Sequence, residues 1–460
     1  MNKQEQILKG NLTKTIFKLS IPVIMANFIQ QLYNLADVYF VGRLGGTQLA
    51  AITFAWPLVF LIISLGGGMS IAGISMISQS IGRGDSRETK ENTTQLLLLA
   101  GIVGSVIAVL GFIFSGGVLK VLGVEGLLLQ ESSRYIKWVL LATPATFITL
   151  CHSAIRKAEG NTLKPMIVNL ISVVSNVILN PLLIFYMDLG ITGAGMATAI
   201  ARFGVACYCI YELVTMRSMT QVELSNIRIN PSKMREIIRI GIPVSISQAT
   251  TSIGFLVLNI YVKEYGDTVL AAYGLGNRIH SIFFMIAQGI SATLSAIVGQ
   301  NFGAGNYKRV KEAFNMSLKL SIGLSFMGAL INQVFIKELA MLFATSEDVV
   351  YHAVNYMRLV SWTVIAWGIF QIHNGFFQGL GETRISLKIN MIRLWGLRIP
   401  LAIILTKLNL FEEYSVWNAM FWSNVATAIV STYTYKKYIN TKFKEYEGVK
   451  NEEEKSIACS

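Results

Sequence analysis

Apolar residues in this chain come in long runs, separated by short polar segments. About twelve runs can be marked, at 15–41, 49–77, 93–115, 133–155, 163–186, 191–216, 237–262, 269–298, 313–336, 353–377, 385–406 and 415–437. A helix rises about 1.5 Å per residue, so roughly 20 apolar residues cross the hydrocarbon core of a bilayer. Each run is near that length, and no soluble domain fits between them. The pattern predicts an all-α polytopic membrane protein with about twelve transmembrane helices. Beyond Lys436 the chain is charged, which predicts a solvated or disordered tail.

Polar exceptions inside the runs carry the chemistry. In the first run Asn27, Gln30, Asn34 and Asp37 recur at helical spacing, with Tyr33 one turn before Asp37. One face of that helix is therefore polar. An acid within a membrane span costs at least about 2.5–3.5 kcal/mol and marks a functional site. The fifth run carries Asn169, Ser172, Asn176 and Asn180 at similar intervals, and the sixth carries Thr198. Counted from the outer ends of their helices, Asp37, Asn180 and Thr198 lie at about 8–10 Å depth. A carboxylate among amide and hydroxyl oxygens suits a small cation or a proton. Two alternatives stand beside this. The amides and hydroxyl could merely satisfy one another between helices, and Arg202, one turn after Thr198, could hold Asp37 as a fixed ion pair.

The halves of the chain repeat. Ile21-Pro22-Val23 returns as Ile242-Pro243-Val244, an offset of 243 − 22 = 221. The same offset carries Leu49-Ala50-Ala51 to Leu270-Ala271-Ala272, Gln79 to Gln300, and Gly160 and Thr162 to Gly381 and Thr383. One unbroken offset over so many landmarks indicates duplication. Six spans per half make the repeats parallel, about an axis along the membrane normal and around a central cavity. The expected limits are an N-lobe at 1–216, a cytoplasmic linker at 217–235, a C-lobe at 236–438 and a cytoplasmic tail at 439–460.

Composition agrees and adds orientation. The chain of 460 residues is 53% hydrophobic and 14% charged, with a mean hydropathy of +0.53. Its net charge of +13 invites a nucleic-acid reading, but basic residues crowd alternate connections, such as Arg83, Arg87 and Lys90, or Arg228, Lys233 and Arg235. That distribution follows membrane topology and places both termini in the cytoplasm of a multi-pass cell-membrane protein. No removable signal peptide is evident. Cys151, Cys207, Cys209 and Cys459 have no metal spacing and read as reduced thiols. Gly82-Arg83-Gly84 and Gly303-Ala304-Gly305 follow long apolar runs, so they read as helix caps rather than phosphate loops, and no nucleotide is expected. His152, His280 and His373 lack spaced partners and read as core or interfacial residues. Arg393 and Arg398, inside the eleventh run, either bond backbone carbonyls or lipid headgroups, or contact an anionic substrate. With Asp37 as the one clear deep acid, an enzyme is not expected.

These residues resemble the multidrug and toxic compound extrusion (MATE) transporters over nearly the whole chain. The resemblance rests on Pro22, Tyr33, Asp37-Val38-Tyr39-Phe40-Val41-Gly42-Arg43-Leu44-Gly45 and Gln79-Ser80-Ile81-Gly82-Arg83-Gly84-Asp85. Asn176 through Asn180-Pro181, Gly193-Ala194-Gly195-Met196-Ala197-Thr198 and the repeated half add to it. It implies export of drugs or other small molecules, often organic cations, across the lipid bilayer by alternating access between two lobes. Inward flow of sodium or protons would drive it without a further cofactor. It also implies Asp37, Asn176, Asn180 and Thr198 as the cation site, with Gln30, Tyr33 and Asn34 toward the substrate cavity. Some relatives carry a second acid where Asn180 stands, and some carry coupling acids in the seventh and tenth spans, where this chain has none. A related branch flips lipid-linked glycan precursors, and Arg393 and Arg398 keep that alternative open.

Overall fold

The computed structural model describes residues 3–121, 123–222, 228–343, 346–408 and 412–446, and its regular elements are all helical. A short α1 (Lys3–Lys9) precedes α2 (Leu12–Gly42), α3 (Gly46–Arg83) and α4 (Ser86–Val121). Next come α5 (Gly126–Leu141), α6 (Thr143–Ala158), α7 (Leu163–Pro181) and α8 (Gly190–Thr215). The second half holds α9 (Pro231–Lys263), α10 (Asp267–Gly303), α11 (Tyr307–Val334), α12 (Ile336–Phe343), α13 (Glu347–Val360) and α14 (Thr363–Gly379). It ends with α15 (Thr383–Met391), α16 (Ile399–Lys407) and α17 (Tyr414–Tyr438). Wider π-helical turns, Leu182–Tyr186 and Ile392–Arg398, follow α7 and join α15 to α16.

Nine helices among the described residues are long and apolar enough to cross a membrane, counting Leu163–Tyr186 and Thr383–Lys407 as continuous. A tenth span is α5 with α6, bent by 46°. Pro144 in the first turn of α6 supplies no N–H and presets a helix start, which explains the break. The α13–α14 pair and α17 occupy the other two apolar runs.

Helices outlast the runs that predicted them, because backbone bonding rather than bilayer thickness ends a helix. The run at 93–115 becomes Ser86–Val121, with the Asp85 carboxylate accepting from the Glu88 N–H at 2.8 Å. Before it, Gly84 closes α3 at φ 76°: its N–H reaches Ile81 O at 3.0 Å, and that of Asp85 reaches Ser80 O at 3.2 Å. A left-handed cap of this kind favours glycine. Gly305, 221 residues on, has φ 70° and the same pair of bonds, to Phe302 O and from Asn306 to Asn301 O. The duplication thus extends to individual caps.

Packing divides the chain into two units, Met1–Gln4 with Ile21–Ala249, and Glu5–Ser20 with Thr250–Ser460. The changeovers fall inside α1, α2 and α9, not in the 217–235 connection. In the first unit, one core joins Ile77, Leu96, Phe147 and Ile155, and another joins Val41, Ala55, Tyr135 and Ile184. In the second, Ile7, Ile16 and Leu19 pack in one core with Leu294, Phe314, Phe376 and Phe443. The expectation of a solvated tail from Lys436 is corrected here. Residues 439–446 stay helical, and Phe443 is fully buried near the rings of Phe302, Tyr307 and Phe376. Two aromatic residues in a charged stretch outweigh its composition. Residues 447–460, including Cys459, lie outside the described residues.

Candidate functional site

Asp37 stands one turn from the end of α2, and its side chain is buried. Its Oδ1 accepts from Asn180 Nδ2 at 2.7 Å. The same Nδ2 donates to Asn176 Oδ1 at 3.0 Å, and Asn176 Nδ2 donates to Thr198 Oγ1 at 3.2 Å. Thr198 Oγ1 and the Tyr33 hydroxyl are 3.1 Å apart. The four candidate cation ligands and Tyr33 therefore form one connected network from α2, α7 and α8, all within the first unit. Asn176 and Asn180 share a face because they are four apart on a helix.

Thr198 reaches the network because α8 approaches its neighbours closely. A Cβ on Gly193 would lie 2.6 Å from Leu183 O, in the π-helical turn after α7, and one on Gly195 would lie 2.8 Å from Tyr135 O. Only glycine permits both approaches.

Asn180 Oδ1 is the unexplained atom. The residue is fully buried, and this oxygen has no hydrogen-bond partner. A buried acceptor beside a carboxylate fits a cation, so the residues present suit sodium or a proton. Gln30, Tyr33, Asn176, Thr198 and Arg202 line a cavity of about 80 Å³, and Asn34 does not line it. Asn169 donates instead to Ala26 O at 2.9 Å, tying α7 to α2. The expected rival for Asp37 is not in contact: Arg202 Nη1 donates to Thr146 Oγ1 at 3.3 Å, and no described residue forms an ion pair with Asp37.

Two readings of the chain are corrected by this unit. His152 is not partnerless, since its Nε2 lies 2.6 Å from Glu212 Oε2. Asp37 is not the one deep acid either. Glu212, near the end of α8, is 3% exposed and is also met by Lys164 Nζ and, at 3.2 Å, by Arg156 Nη2. Arg156, Lys164 and the His152 imidazole around one carboxylate make a clamp of α6, α7 and α8. The three partners lie 48 to 60 residues before Glu212 in sequence, so no periodic signal links them to it.

In the second unit His280 and His373 bond the carbonyls of Gly276 (3.0 Å) and Ile369 (2.7 Å), as core histidines do. Cys151 and Cys209 are buried free thiols and Cys207 an exposed one. Arg393 and Arg398 are buried and bond no backbone carbonyl among the described residues. Arg393 Nε and Nη2 reach Asn390 Oδ1 at 3.1 and 2.7 Å. Arg398 reaches Ser423 Oγ at 3.0 Å and Asn424 Oδ1 at 2.6 Å.

The family model described as MatE matches residues 22–182 and again 243–404. The chain belongs to that family. The two matched stretches begin at the repeat-related prolines Pro22 and Pro243. MatE proteins are membrane transporters, so the chain is a multi-pass transporter of small molecules and not an enzyme. It is 24% identical to the probable multidrug resistance protein YoeA of Bacillus subtilis, over 94% of this chain and 95% of that one. It is 26% identical to the multidrug export protein MepA of Staphylococcus aureus, over 83% and 85% respectively. It also shares its fold with a multidrug resistance MATE transporter of the MOP superfamily solved in an outward-facing conformation. There the TM-score is 0.92, at 23% identity over 96% of this chain and 99% of that one.

Proposed function

We propose that this MatE protein is a cation-coupled antiporter exporting varied amphipathic, often cationic compounds by alternating access. The names of YoeA and MepA support export of several drugs. The observation that carries the coupling is the partnerless, fully buried Asn180 Oδ1 beside Asp37. Asp37 supplies the charge, Asn176, Asn180 and Thr198 supply neutral oxygens, and sodium or a proton is the ion. When Asp37 is empty its charge favours rearrangement toward water; when it is filled, the charge is cancelled. Substrate that binds the ion-free state better is thereby linked to the ion gradient. Gln30 and Tyr33 line the nearby cavity and contact substrate, with Asn34 outside it. The protein resides in the plasma membrane with both termini cytoplasmic, a reading supported by the basic connections.

Purified protein in vesicles, given an inward sodium or pH gradient and a cationic dye, tests this. Saturable dye movement against its gradient, driven by one ion alone, is the expected result. Movement that is unsaturable or indifferent to both gradients overturns it. A second reading, transfer of lipid-linked glycan precursors, draws on buried Arg393 and Arg398. It gains if dye movement is absent while such precursors change sides.

A further inference from the structure

Arg393 and Arg398 lie in a helix apolar enough to cross a membrane, each 2% exposed. Every hydrogen-bond partner given above for them is neutral. Arg393 also lies over the rings of Trp367 at 4.8 Å and Phe370 at 5.3 Å. Among the described residues no carboxylate pairs with either guanidinium. Two permanent charges are thus withdrawn from water with no countercharge, an arrangement whose cost calls for a compensating anion. Their placement is also specific. Ile392–Arg398 is wound as a π-helix, in which bonds join residues five apart and align them along one side. Arg393 and Arg398 are five apart, while Trp395 between them is 39% exposed. The guanidinium fork matches the paired oxygens of carboxylates and phosphates.

We infer that the second unit carries an oxyanion site in which Arg393 and Arg398 take the carboxylate or phosphate of a transported compound. The substrates then include zwitterions and anions besides cations. This rests on the transport reading only for what becomes of the bound compound; the site itself is a binding property of the purified chain.

The test uses full-length protein in detergent and a xanthene dye in two forms, a free carboxylate and its ethyl ester. Arg393→Gln and Arg398→Gln should weaken binding of the acid at least about tenfold and leave the ester within about twofold. Arg393→Lys and Arg398→Lys, which keep the charge but lose the fork, should recover only part of the acid's affinity. Inorganic phosphate and a short-chain phosphatidic acid are then added as competitors on the wild type. Displacement of the acid by phosphate assigns a free oxyanion, and displacement by phosphatidic acid alone assigns a lipid headgroup. Equal weakening of acid and ester, or no loss of the acid, overturns the site. Should the Gln variants fail to fold, absence of displacement by both competitors overturns it. No vesicle gradient is involved, so failure of the antiport reading is seen separately.

Discussion

In the first unit Asp37, Asn180, Asn176, Thr198 and Tyr33 form one hydrogen-bonded chain. The 221-residue offset carries Asp37 to Leu258, Tyr33 to Gly254, Asn180 to Leu401 and Thr198 to Ala419. Leu258 and Ala419 are fully buried in a core with Tyr273, Tyr356 and Trp417, where Tyr273 stacks on Trp417 at 5.4 Å. The second unit's most deeply buried charges, Arg393 and Arg398, stand elsewhere and are positive. Duplication therefore preserved the caps at Gly84 and Gly305 while the chemistry diverged. A helix cap constrains a backbone angle, which only glycine meets cheaply. A buried side chain must only fill space and leave no polar atom unmet, and aromatic packing does this as well as a network does.

The largest expected effect removes what distinguishes the first unit. Asp37→Asn keeps size and hydrogen bonding but discards the charge, so gradient-driven export should fall at least about tenfold at matched membrane levels, with the melting temperature little changed. Restoration of export by adding Arg202→Gln would mean that Asp37 serves as an ion-pair partner instead. Next comes the close approach that places Thr198. Gly193→Ala puts a Cβ against the Leu183 carbonyl, and should cost about 1–3 kcal/mol, seen as a lower melting temperature together with weaker cation affinity. Unchanged melting would show that α8 yields freely.

Tyr33→Phe deletes one hydroxyl contact to Thr198 and should cost about 0.5–1.5 kcal/mol, a few-fold loss of cation affinity measured by titration against dye binding. The smallest effect belongs to the other unit. Glu264→Gln, Asp267→Asn and Glu382→Gln should each change stability by less than about 0.5 kcal/mol and leave ion dependence intact. Loss of gradient-driven export in any of them, in a folded protein, would place a coupling acid in the second unit after all.

The network was legible because its members obey periodicity. Asn176 and Asn180 are four apart, Tyr33 and Asp37 are four apart, and polar residues stand out against an apolar helix. Even the common depth of Asp37, Asn180 and Thr198 followed from counting. What escaped lacks such a signature. Glu212 sits where an apolar run gives way to charge, and its partners His152, Arg156 and Lys164 come from other helices. The break between α5 and α6 has a local cause in Pro144, yet the apolar run continues across it. Phe443 and Tyr446 are isolated aromatics in a charged stretch, and only tertiary packing tells such residues from solvated ones.

The exchange of segments within α2 and α9 bears on how the protein is made. Ile7, Ile16 and Leu19 emerge from the ribosome long before their core partners Phe376 and Phe443. The Arg309 guanidinium holds Ile7 O at 3.0 Å, a contact that must wait for some 300 further residues. The second unit is therefore closed only after Phe443 has been made, while Ile21–Ala249 can pack before that. A gene divided at the connection between the halves would not yield two self-sufficient pieces. The second piece would lack Glu5–Ser20 and the first would lack Pro231–Ala249, so only co-expression of both can rebuild either unit.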